Sequence, residues 1–228
     1  MPTPIDAQLL TFQGWTFRLR PAAGPAGRLL LLLHGWTGDE NSMWLFGRDL
    51  PAAFTLLAPR APHVEPRGGY TWREMTPGTW GLPSLDDFRP AVDGLLTFVD
   101  SWAGSAGVDA ATFDCMGFSQ GAALTYALAA LHPGRVGRLA ALAGFLPDGA
   151  EQFLGPRSLA GKPVYVAHGT RDEMIPVERA HRAAALLGEA GAQVTYCEAE
   201  TGHKVSPDCF RGLREFFVND LKRSENVP

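Results

Sequence analysis

The stretch Phe113 to Pro133, FDCMGFSQGAALTYALAALHP, constrains the fold more than any other part of the chain. Phe113 to Phe118 is apolar and strand-like, and Leu124, Leu128 and Leu131 then recur at helical spacing until Pro133 closes the run. A strand that feeds a helix through one serine, Ser119, brings two backbones very close together. Gly117 and Gly121 stand two residues to either side of it, where a side chain would collide. The serine is left at the apex of the turn. A helix starting there offers unpaired N–H groups and the positive end of its dipole, which suits an oxyanion forming beside Ser119. The pattern alone is weak, because in a chain with 26 glycines a Gly-x-Ser-x-Gly also arises as a plain strand-to-helix connection. Context has to decide.

Residues Leu9 to Arg20 alternate apolar and polar side chains around Gly14, which predicts a two-stranded hairpin at a sheet edge. Arg28 to Leu33 is a continuous apolar run, as in a strand covered on both faces, and it opens into His34-Gly35-Trp36-Thr37-Gly38-Asp39. A helix over Ser42 to Leu50 and a strand over Phe54 to Ala58 follow. From Arg60 to Pro83 the chain is rich in Pro, Gly and aromatics (Tyr70, Trp72, Trp80) without a clear period, and a loop of that length is expected over a pocket. Ser84 then starts a helix with Val92, Leu95, Leu96 and Val99 on one face. Strands are predicted at Leu139 to Ala143, Pro163 to Ala167 and Gln193 to Glu198. Helices are predicted at Val177 to Gly188 and Pro207 to Leu221, the last with Phe210, Leu213, Phe216 and Phe217 inward. Repeated strand and helix units imply an α/β fold, a mostly parallel twisted sheet with helices on both faces and an N-terminal edge hairpin. No charged or Ser/Gly-rich linker divides residues 1–228, so one domain is expected.

A formal charge of −4 and a pI near 5.9 give no basic face for nucleic acid, and small neutral or hydrophobic ligands fit better. Cys115, Cys197 and Cys209 are too few for a disulfide framework and have no metal-ligand spacing, which favours a reducing compartment. The first residues lack a basic segment followed by an apolar one, and Leu29 to Leu33 is too short to span a bilayer. A cytoplasmic protein without an integral membrane segment, metal or cofactor is expected. A homodimer is compatible with this reading.

A serine hydroxyl is a poor nucleophile unless a base removes its proton, so Ser119 needs a histidine and an acid to hold that histidine. Asp172 follows the strand from Pro163 and His203 the strand from Gln193, so both belong on the carboxyl edge of the sheet, with Ser119. The order Ser, Asp, His is that of an α/β-hydrolase. His132 lies at the far end of the nucleophile helix, about 20 Å away at ~1.5 Å per residue. His181 sits within a helix, while His34 and His168 stand at Gly turns where an imidazole more often serves the loop. Glu173 and Glu200 are alternative acids. Backbone N–H groups of Gln120, after the nucleophile, and Trp36, in the His-Gly loop, are the expected oxyanion donors.

These motifs together resemble the phospholipase/carboxylesterase family of α/β-hydrolases, which includes bacterial carboxylesterases and acyl-protein thioesterases. The matching segments are Leu33 to Glu40, Ala58 to Pro62, Gly117 to Gly121, Gly144 to Pro147, His168 to Asp172 and Thr201 to His203. The resemblance implies the same triad, Ser119, Asp172 and His203, with Trp36 and Gln120 as the oxyanion hole. Thr37 stands where many members carry Gly, and Ala122 replaces a second Gly after the elbow. The expected activity is hydrolysis of a small-molecule carboxylic ester, of small or medium acyl chain, through an acyl-enzyme. Phe118, Tyr70, Trp72, Phe145 and Met174, with Trp36, are candidates for an apolar pocket. The rival readings are a thioesterase or acyltransferase with the same triad and, from another class, a non-catalytic receptor for a small lipophilic ligand.

Overall fold

The computed structural model describes residues 7–24, 27–74 and 83–224. At the N-terminal side β1 (Gln8–Phe12) and β2 (Trp15–Arg20) form an antiparallel hairpin. It turns at Gln13 and Gly14, whose φ angles of 47° and 84° match the twist that a two-residue turn imposes. The apolar run becomes β3 (Arg28–Leu33), followed by α1 (Trp44–Gly47), β4 (Phe54–Pro59) and a small hairpin of β5 (His63–Val64) and β6 (Tyr70–Thr71). Then come α2 (Leu85–Ala106), β7 (Phe113–Phe118), α3 (Gln120–Leu131), β8 (Val136–Leu142) and β9 (Pro163–Gly169). The chain ends with α4 (Val177–Glu189), β10 (Gln193–Ala199) and α5 (Pro207–Ser224).

The main sheet has eight strands in the order β1-β2-β4-β3-β7-β8-β9-β10. Pairing is parallel from β4 to β10 and antiparallel only where β2 meets β1 and β4. Alternation along β3 explains the layers. Leu29, Leu31 and Leu33 face the core shared with α2, α3 and α4, whereas Leu30 and Leu32 face the core shared with α1 and α5. α3 lies over the sheet centre and is buried along its whole length, so its sequence is apolar all round rather than striped. α2 is amphipathic and has a capping box: Ser84 and Asp87 exchange side-chain and backbone hydrogen bonds. It ends at Gly107, which takes the left-handed conformation (φ 68°).

Three expectations change. The helix expected over residues 42–50 is only α1, because the chain before it turns through i→i+3 bonds, Asp39 to Ser42 and Asn41 to Trp44, and Pro51 follows closely. The region from Arg60 has structure of its own: the β5–β6 hairpin folds back on the loop after β3, where Tyr70 N–H donates to Gly38 O at 2.9 Å. Trp80 lies outside the described residues. Finally, Cys197 in β10 and Cys209 in the first turn of α5 form a disulfide with Cα atoms 5.7 Å apart, while Cys115 is free and buried. Three cysteines were expected to build no disulfide framework. The chain reverses over residues 200–206 and lays α5 back against β10, a tertiary fact that a spacing of 12 does not announce. With it falls the cysteine argument for a reducing compartment. Among the described residues no helix is long and apolar enough to cross a membrane.

Candidate active site

The carboxyl ends of β3, β7, β9 and β10 bring Ser119, Asp172, His203 and the His34–Gly38 loop together. At the β7–α3 elbow Ser119 has φ 55° and ψ −116°. This conformation is fixed by its neighbours: Ser119 N–H donates to Leu142 O at 2.8 Å, and Ser119 O accepts from Ala123 N at 3.1 Å. A Cβ on Gly117 would lie 2.2 Å from Gly121 O, and one on Gly121 would lie 2.0 Å from Leu33 O. Only glycine fits at either place. Ala122, the departure from the family pattern, is accommodated by Gly144 opposite it, where a Cβ would come within 2.3 Å of the Ala122 methyl.

His203 Nε2 lies 2.9 Å from Ser119 Oγ, and its Nδ1 lies 2.7 Å from Asp172 Oδ2. The other carboxylate oxygen, Oδ1, accepts from Met174 N and Ile175 N, both at 2.9 Å. Both carboxylate oxygens therefore act as acceptors. That places the Nδ1 proton on the Asp172 side and leaves the Nε2 lone pair facing the serine. The Asp172 side chain is fully buried. The alternative acids stand apart: Glu200 is 77% exposed and pairs with Arg171, and Glu173 is exposed.

A second histidine, His168, donates from Nε2 to Ile175 O at 2.8 Å and so pins the turn whose amides hold Asp172. Burial lowers its pKa, partly offset by that bond. His34 plays a parallel part under the Gly35–Gly38 loop: its Nδ1 bonds Gly35 O at 2.7 Å and its Nε2 accepts Ala61 N–H at 3.0 Å. Burial lowers the pKa of His34 as well. The loop then turns through Gly38 N–H to Gly35 O (3.0 Å), with Thr37 at φ 63°. That left-handed residue explains why glycine suits the position. A Cβ on Gly35 would be 3.3 Å from the Ser119 Cβ, so the loop that carries Trp36 passes close to Ser119. Gln120 follows Ser119 directly as the first residue of α3.

A cavity of about 1020 Å³ opens at Ser119 and His203. Trp36, Phe118 and Met174, three of the pocket candidates, line it, together with Met43, Leu45, Phe46 and Val205, which the sequence did not single out, and Phe210, which was expected on the inward face of its helix. Tyr70, Trp72 and Phe145 are not among the described residues of its wall. Trp72 is instead fully buried beneath the site, its indole N–H on His34 O at 2.8 Å and its backbone N–H on Gln120 Oε1 at 2.9 Å. The guanidinium of Arg60 covers Tyr70, and that of Arg179 covers the buried Phe145. These aromatics brace the loops that form the site. Phe210 was read as core because a helix stripe looks the same whether it faces a core or a cavity.

A serine hydroxyl bonded to a histidine that a buried carboxylate holds, all at one edge of a mostly parallel sheet, is the arrangement of a serine hydrolase of α/β-hydrolase fold. Residues 16–219 match the model of the phospholipase/carboxylesterase family, and the chain belongs to that family. It is similar to acyl-protein thioesterase 1 of Saccharomyces cerevisiae, with 30% identity over 86% of this chain and 94% of that one. Esterase YpfH of Escherichia coli is 28% identical over 79% of this chain and 78% of its own length. Among solved structures, a carboxylesterase from Mesorhizobium loti has 25% identity and a TM-score of 0.76 over 92% of this chain and 98% of that one. The Bacillus cereus carboxylesterase superimposes with a TM-score of 0.79 over 88% and 92% of the two chains, at 22% identity.

Proposed function

We propose that the protein hydrolyses small-molecule carboxylic esters by way of an acyl-enzyme on Ser119. The observation that carries this is the unbroken hydrogen-bond line from Ser119 Oγ through His203 to Asp172. Ser119 Oγ attacks the acyl carbonyl as its proton passes to His203 Nε2, and the carbonyl oxygen becomes an oxyanion between the Trp36 and Gln120 amides. Collapse of this intermediate breaks the bond to the alcohol, which takes the proton from His203 as it leaves. Water then gives a proton to the same nitrogen and attacks the acyl-enzyme, and the acid departs as Ser119 recovers its proton. Asp172 holds the imidazole in the working tautomer and stabilises its charged form. The apolar cavity wall suits an acyl chain of small or medium length.

A thioesterase reading uses the same chemistry with a thiolate leaving group, and the yeast relatives named acyl-protein thioesterase favour it. In this reading nucleic acid has no part, and a homodimer is compatible with it. A cytoplasmic location would require that the Cys197–Cys209 bond open and close with the surrounding thiols, because cytosolic disulfides are usually transient.

The test is labelling by a fluorophosphonate followed by peptide mapping, with turnover of matched ester and thioester pairs. Labelling of Ser119 that disappears in Ser119→Ala is the expected result. Folded protein that takes up no probe would refute the enzyme reading in favour of a ligand receptor.

A further inference from the structure

We infer that the Cys197–Cys209 disulfide is a positioning device for the catalytic base, and that its reduction lowers turnover while the fold stays intact. The proposal rests on the assignment of His203 as that base. His203 is the midpoint of the segment that the bond closes: Cys197 lies in β10, Cys209 in the first turn of α5, and the loop between them carries the imidazole. The same segment supplies one wall of the cavity, through Lys204, Val205, Pro207 and Phe210.

The loop is tied unevenly. Before His203 it is bonded to the end of β9, with Thr170 N–H on Ala199 O at 2.9 Å and Arg171 N–H on Thr201 O at 3.0 Å. Gly169 also leaves no room there, since a Cβ would meet Thr201 O and Gly202 O at 2.3 Å. After His203 the described main-chain bonds are local: Lys204 N–H reaches Gly202 O at 2.7 Å and Phe210 N–H reaches Ser206 O at 2.8 Å. The disulfide joins this downstream limb covalently to β10 and completes the frame around the imidazole. Cys209 is buried and Tyr165 Oη donates to its carbonyl at 2.7 Å, while Leu213 and Phe217 bury the rest of that helix face. α5 therefore has its own anchors, and breaking the bond loosens the loop rather than the helix.

Cys197 lies on the edge strand and is half-buried, whereas Cys209 is buried, so attack by an external thiol is assigned to Cys197. A dithiol reductant attacks Cys197 Sγ through its thiolate, the S–S bond breaks, and Cys209 leaves as a thiolate that takes up a proton. The second thiol of the reductant closes on the mixed disulfide and releases Cys197. Two electrons and two protons pass to the protein, and the reductant becomes its cyclic disulfide.

The experiment compares the full chain oxidised, reduced with dithiothreitol and reoxidised, alongside Cys197→Ser/Cys209→Ser. Thiol counting, circular dichroism, steady-state kinetics and the rate of fluorophosphonate labelling are read on each. On reduction kcat and the labelling rate fall by on the order of tenfold, as expected when a catalytic group is displaced by a fraction of an ångström. The dichroism is unchanged, reoxidation restores both rates, and the double variant is slow and indifferent to reductant. Equal rates in the oxidised and reduced forms would overturn the proposal, as would three free thiols in the oxidised protein. Loss of the dichroism on reduction would also overturn it, since the bond would then be a staple of the whole fold. If the oxidised form takes no label at Ser119, the esterase reading itself fails and this proposal falls with it. Should the double variant not fold, the cycle of reduction and reoxidation on the natural chain decides alone.

Discussion

Replacing Asp172 by Asn tests its proposed role as the acid of the triad without disturbing its shape. Asp172 Oδ1 accepts two backbone amides, Met174 N and Ile175 N, each at 2.9 Å, and Oδ2 faces His203 Nδ1 at 2.7 Å. An asparagine has one acceptor oxygen and one donor nitrogen, so it must choose which side to satisfy. Turning its NH2 towards the two amides would leave both without an acceptor, at ~1–3 kcal/mol each, or about 2–6 kcal/mol together. The oxygen therefore stays on the amides and the NH2 faces His203. That selects the imidazole tautomer with its proton on Nε2, pointing at Ser119 Oγ, where it cannot act as a base. The expected loss in kcat is about 10⁴-fold, or about 5.5 kcal/mol of transition-state stabilisation. The melting temperature should change little, because the amide bonds survive. Stopped-flow acylation with an activated ester, run beside thermal melts, reads both quantities. Glu200→Gln, on an exposed side chain paired with Arg171, serves as the control and should be neutral. A loss below tenfold in Asp172→Asn, or an equal loss in Glu200→Gln, would show that the acid lies elsewhere.

Gly121→Ala should abolish the folded elbow, because its methyl would sit 2.0 Å from Leu33 O and 2.6 Å from His34 O, both backbone atoms; soluble, active protein from this variant would contradict the packing. Folding stability should fall as pH drops below about 6.5, where unfolded His34 and His168 take up protons that their buried folded forms, with lowered pKa values, do not. The slope is up to about 1.4 kcal/mol per pH unit for each histidine, until the folded forms also protonate. Urea midpoints that coincide at pH 7.5 and 5.5 would refute it. Phe210→Trp should narrow the cavity and lower kcat/KM for long acyl esters more than for acetate esters; a uniform loss across a chain-length series would mean that the acyl group lies elsewhere.

The parts of the site that were legible in the sequence are those whose chemistry is local. Gly117 and Gly121 announce a close backbone crossing because no other residue survives one, and the runs before Ser119, Asp172 and His203 mark the strand ends on which they stand. The β1–β2 hairpin was legible for the same reason, through its alternation and Gly14. What the sequence hid depends on segments meeting in space. The Cys197–Cys209 pair needs α5 to fold back on the edge strand. Trp72 reads as a loop aromatic, yet it is buried under the site because two polar partners, His34 O and Gln120 Oε1, satisfy its N–H groups there. Phe145 was expected at the pocket and Phe210 in the core, and the structure exchanges them, because only the packing of loop and helix against the sheet decides which aromatic meets the cavity.

The backbone of Ser119 carries a further consequence. Its φ of 55° with ψ of −116° lies where residues with a Cβ are seldom found, and such a conformation costs about 1–3 kcal/mol. The surrounding sheet and helix must supply that energy continuously, whether or not substrate is present. Net stability for a domain is typically only about 5–15 kcal/mol, so this is an appreciable fraction of the whole. Selecting variants of this chain for thermostability alone would therefore tend to favour glycine at position 119 and discard the nucleophile. The most stable form of the molecule and its working form are different sequences.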